Sequence, residues 1–119
     1  MPDLVARREP TIHFLGEQDG QPERQLKSAL SALFASGDAV QRAYLARVRY
    51  GDEQAANVAL ALVAAPASPE LVDAVQKVFH SMFGIGQHLD IFFASPRQEA
   101  EISLTCRAFF GDDAPANVI

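Results

Sequence analysis

Among 119 residues there is one cysteine, Cys106, and no tryptophan. A single thiol cannot close an internal disulfide, so packing alone must hold the chain together, and a reducing, cytoplasmic setting is expected. Long apolar runs are also missing. The longest, Val58 to Pro66, is about half of the ~20 residues a membrane-spanning helix needs. Met1-Pro2-Asp3-Leu4 has neither the basic flank nor the apolar stretch of a secretory leader, so no membrane role is expected. Positive charge is in short supply. Ten Lys and Arg face fifteen Asp and Glu, for a net charge of −5, which argues against nucleic acid as a partner because phosphate binding needs a cationic surface. No glycine-rich loop ends in Lys-Ser or Lys-Thr, which excludes a P-loop. Gly84-Ile85-Gly86 is no dinucleotide fingerprint either. Its third glycine would fall at Leu89, and the run follows a helical pattern instead of a strand.

What is present suits a small globular domain. Hydrophobic residues make up 49% and charged residues 21%, enough apolar surface for one core. The charged stretch 1–10 reads as a loose arm, 11–110 as a single α+β domain, and 111–119 as a tail. Ile12, Phe14 and Leu15 mark a strand over Thr11–Gly16. Pro22 then opens a helix whose apolar face is Leu26, Ala29, Leu30, Leu33 and Phe34, with Gly37 as its expected left-handed stop. Val40 to Tyr50 is a strand with Val40, Tyr44, Val48 and Tyr50 on one face and Gln41, Arg47 and Arg49 on the other. A turn over Gly51–Gln54 leads to a further strand, Ala55–Ala65, stopped by Pro66.

Ser68-Pro69 is a second helix start, capped by Ser68, with Leu71, Val72, Val75, Val78, Phe79, Met82 and Phe83 facing inward and Gly84 past its end. His88 to Ala94 is an aromatic-rich strand. Ser95-Pro96-Arg97-Gln98 carries a capping-box pattern and predicts a short helix from Pro96 to about Cys106. The alternation Ile102, Leu104, Cys106, Ala108 would suit a strand there instead.

The order β-α-β-β-α-β, with a short extra C-terminal element, predicts a split βαβ, ferredoxin-like antiparallel sheet carrying two helices on one face. Ala55–Ala65 is apolar on both sides: Val58, Leu60 and Leu62 oppose Ala59, Ala61 and Val63. Two helices cover one face only. The other is expected to be covered by the C-terminal segment with Phe109 and Phe110, or by a second subunit.

A strand, a Pro-led helix and then Val40-Gln41-Arg42-Ala43-Tyr44-Leu45 entering a long hairpin, with Ala108-Phe109-Phe110 at the close, resembles the C-terminal domain of the enhanced serine sensitivity (SseB) family over roughly Thr11 to Phe110. The resemblance implies a link to serine sensitivity and brings no catalytic motif. In the full-length family it also implies a second, N-terminal domain, for which these residues leave no room.

Four polar residues are candidate ligand contacts. His88 and Asp90 lie two apart on a strand and share a face, so the carboxylate can orient the imidazole. Arg47 and Arg49 share a face that could meet a phosphate or an acidic partner, while Arg42 lies opposite. Phe109 and Phe110 are candidate interface residues. The three histidines and Cys106 lack zinc-ligand spacing, so neither metal nor cofactor is expected, and Cys106 reads as a buried small hydrophobe. The expected function is a non-enzymatic binding or assembly domain, as a homo-oligomer or with a protein partner. The alternatives are a small-molecule sensor and a small enzyme using His88 and Asp90.

Overall fold

A computed structural model describes residues 12–37, 39–65, 68–84 and 86–111. The expected arm, the tail beyond Gly111, Pro66 as a strand stop and Ile85 of the Gly84–Gly86 run lie outside the described residues. Eight elements follow in order: β1 (Ile12–Glu17), α1 (Gln21–Ala35), β2 (Val40–Tyr50), β3 (Asn57–Ala64), α2 (Pro69–Phe83), β4 (Asp90–Phe93), α3 (Pro96–Ile102) and β5 (Phe110–Gly111). Among the described residues the chain is thus a mixed α/β fold with a five-stranded sheet and three helices.

The split βαβ topology is not what forms. The sheet runs β1-β2-β3-β4, with β5 pairing to β2 beyond the end of β1. β1–β2, β2–β3 and β2–β5 are antiparallel, whereas β3–β4 is parallel across the α2 crossover. The central strands are therefore β2 and β3, where the expected topology would have centred the first and third. Burial explains the difference. Ala43, Tyr44, Leu45, Ala46 and Val48 of β2 are all inaccessible to solvent, so β2 must be flanked and covered on both sides. Reading β2 as half polar overlooked Ala43 and Leu45. A bulge between Val40 and Arg42 also moves Val40 to the face opposite Tyr44, against the expected grouping.

Each sheet face has its own core. Leu26, Leu30 and Phe34 of α1 and Val75 and Phe79 of α2 pack on Ala43, Leu45, Leu60 and Leu62. On the other face, Ile102, Cys106 and Ala108 cover Tyr44, Ala46, Val48, Ala59 and Ala61. Two-sided burial of β3 holds, and the chain's own C-terminal segment supplies the second cover. Phe109 and Phe110 are not part of that cover. They pack back onto Phe34 on the helix face, with ring centroids 6.4 and 5.5 Å away.

The local signals at helix ends are met at three places. Ser68 Oγ accepts from the Leu71 N–H, Ser95 and Gln98 form the full capping box, and Gly84 sits at φ 88° past α2. The expected left-handed stop at Gly37 does not occur. α1 closes on right-handed Ser36, with the Gly37 N–H donating to the Phe34 carbonyl. Gly111 does need its hydrogen: φ is 106°, and a β-carbon there would meet the Gln41 carbonyl oxygen at 2.1 Å. No helix among the described residues is long and apolar enough to cross a membrane.

Candidate functional site

Two of the recesses beside α3 on the second sheet face gather polar side chains from several elements. The first, of about 310 Å³, is bordered by Arg42, Tyr44 and Glu99. By alternation Arg42 and Tyr44 project from the same side of β2, and Glu99 reaches down to both from the first turn of α3. Arg42 Nη2 donates to Glu99 Oε1 at 2.8 Å, Arg42 Nε and the Tyr44 hydroxyl both donate to Oε2, the latter at 2.7 Å. The Arg42 guanidinium, with the Tyr44 hydroxyl second, holds the Glu99 carboxyl below its ordinary range. Three donors converge on this carboxylate, so the cluster works as a clamp fastening α3 to the sheet.

The second recess holds about 400 Å³ and lies between the ends of β1, β2 and β4. Ile12 and Phe92 give it apolar surface, and Tyr50, Asp90 and Gln98 give it polar atoms. Tyr50 is the last residue of β2 and Asp90 the first of β4, and β3 lies between these strands. The Tyr50 hydroxyl nevertheless donates to Asp90 Oδ2 at 2.7 Å. Burial first, then this bond, keeps the phenol protonated well above its usual range. His88 Nε2 contacts Asp90 Oδ1, so a row Tyr50–Asp90–His88 runs from the recess outward. An ionised carboxylate can accept about four hydrogen bonds. Asp90 receives two from these neighbours.

The four expected ligand residues therefore do not form one site. His88 and Asp90 meet, but β4 begins only at Asp90, so the contact is made from the irregular segment before the strand and not from a shared strand face. His88 is 76% exposed, however, and borders a separate small hollow with Glu23 and Phe83 instead of the Asp90 recess. Arg47 is exposed on the helix side of β2, and Arg49 on the same side donates to the Gly51 carbonyl at 2.9 Å, bracing the hairpin turn. Neither joins Asp90. Tyr50 and Gln98 were missed as site residues. Tyr50 becomes legible only once β4 is known to lie two strands away and parallel to β3.

Cys106 is buried, and burial pushes its thiol up to about 12, so it packs as a small apolar group. Among the described residues no group of three His, Cys, Asp or Glu is arranged to hold a metal ion.

A sequence model of the SseB protein C-terminal domain family matches residues 14–110. The chain belongs to that family. This SseB C-terminal domain matches no curated protein and no solved structure. The matched span runs from Phe14 of β1 to Phe110 of β5, so it takes in the buried residues of both cores, the lining of the first recess and all of the second but Ile12.

Proposed function

We propose that this SseB C-terminal domain is a non-catalytic binding domain whose ligand site is the recess between β1, β2 and β4. One observation carries the reading: a hollow of about 400 Å³ with mixed apolar and polar lining converges on a single carboxylate, Asp90, fixed by Tyr50. Concave sites that combine apolar surface with a few convergent polar groups are the usual form of small-molecule sites. The family's link to serine sensitivity fits a domain that senses a small metabolite and performs no chemistry on it.

The enzyme alternative draws on the Tyr50–Asp90–His88 row. It is the weaker reading because the imidazole, the group able to move a proton near neutral pH, points away from the hollow. A second reading, assembly with another copy, rests on the outer edge of β4, which pairs with no strand among the described residues.

A thermal-shift screen of amino acids, amines and phosphorylated metabolites tests the first reading. Compounds that occupy the recess should raise the unfolding midpoint of the natural chain and not that of Ile12→Trp, whose indole fills the hollow. The reading fails if no compound class moves the midpoint, or if Ile12→Trp responds as the natural chain does.

A further inference from the structure

Charge and aromatic content say more about what the recess accepts. Among the described residues lining it, Asp90 is the only formal charge, and no Lys or Arg borders it. An anionic ligand would meet a carboxylate with no cation to offset it, a repulsion that grows in a partly dry site. A neutral ligand would use the apolar walls but leave the remaining acceptor capacity of Asp90 to water. An ammonium group uses both. It donates to the free lone pairs of a carboxylate already held in place, and its attached carbons lie along Ile12 and Phe92.

Tyr50 matters here by position as well. Its hydroxyl donates into Asp90 Oδ2, so it orients the carboxylate without consuming it. Gln98 Oε1 is engaged by the Ser95 N–H, which leaves the side-chain amide held at the mouth of the hollow by the capping box of α3. The net charge of −5 biases the whole surface toward cations in the same sense.

We infer that the recess binds an organic ammonium ion, a primary or methylated amine on a compact apolar body, with Asp90 as its counter-ion. The inference rests on the proposed binding role of the recess, and the test separates the two. Benzylamine, benzyl alcohol and benzoate share one ring and differ in charge. Each is titrated into the isotopically labelled chain while the amide resonances of Tyr50, Asp90, Phe92 and Gln98 are followed. Benzylamine should bind at least about tenfold more tightly than benzyl alcohol, benzoate should be weakest, and the benzylamine affinity should fall as salt is added. Asp90→Asn should bring benzylamine down to the level of the alcohol. Since the three probes are compared on the natural chain, the result stands even if the variant folds poorly.

Equal binding of amine and alcohol, or preference for benzoate, overturns the ammonium assignment while leaving the recess a binding site. If none of the three moves those four resonances, the recess itself is refuted as a site and the assignment falls with it.

Discussion

At the scale of single residues the decisive groups are two carboxylates with different surroundings. Glu99 accepts three hydrogen bonds from Arg42 and Tyr44, whereas among the described residues Asp90 is held by Tyr50 and His88 alone. The first is structural, and its worth can be measured. Its side chain is 16% exposed and that of Arg42 24%, so solvent screening is incomplete, and removing the charge by Glu99→Gln should cost about 1–3 kcal/mol. The pH dependence has a definite sign. Because the folded carboxyl titrates below its ordinary value, the folded state binds fewer protons than the unfolded one in acid. The contribution of Glu99 is thus complete above the unfolded value of about 4.3 and is lost as pH falls through the folded value. Urea unfolding of the natural chain and Glu99→Gln should differ near neutrality and converge in acid. A constant gap across that range would mean the clamp acts through packing alone. Residue pairs close in sequence were legible here, as with His88 and Asp90. Partners such as Tyr50 and Asp90, or Arg42 and Glu99, are separated by 40 and 57 positions, and no local pattern announces them.

Between elements, what matters is how thin the middle of the second sheet face is. Phe14 stands on β1 and Phe92 on β4, strands three spacings apart, or about 14 Å, yet their rings stack with centroids 6.4 Å apart. They can do so only by leaning inward over β2 and β3. Alanines make the room: Ala46 and Ala59 are direct register partners beneath, both buried. A larger side chain at this spot would collide with the arch. Ala59→Leu should therefore destabilise the fold by about 1–3 kcal/mol despite raising strand propensity, and should shift the Phe14 and Phe92 ring signals. A change within about 0.5 kcal/mol, as for an ordinary surface site, would show that the face has slack. Alanine content made the β3 segment look ambiguous in isolation. Its meaning came from what leans on it. Helix starts were readable because caps and prolines act within three residues, as at Ser68 and Ser95. The end of α1 was not, since a carbonyl can also be met by a tightened last turn, and the chain took that route at Ser36 and Gly37.

For the molecule as a whole, element order was legible and strand order was not, because pairing is chosen by long-range burial. The same burial changes the case for self-association. An open apolar sheet face was its original ground, and that face is covered from within by Ile102, Cys106 and Ala108. What remains is an edge. β1 carries a bulge between Phe14 and Gly16, and β5 continues the line of β1 along β2, so that side is irregular and poorly suited to accept a strand. β4 has neither protection: it is regular, carries Ile91, Phe92 and Phe93, and pairs on one side only among the described residues. The Ala94 N–H donates to the Leu62 carbonyl. By alternation the N–H groups of Asp90 and Phe92 also point to β3, while those of Ile91 and Phe93 point outward to a prospective neighbour. A second copy adding there would extend the sheet through two four-residue strands. That is a short contact, and it predicts a weak, concentration-dependent dimer rather than an obligate one. Sedimentation across the micromolar range should show the average mass rising from the 12.9 kDa of one chain toward twice that value, and Phe93→Pro, which deletes one outward donor, should hold it at the monomer. A chain that stays monomeric throughout, or a dimer indifferent to Phe93→Pro, would show that the edge of β4 is not where copies meet.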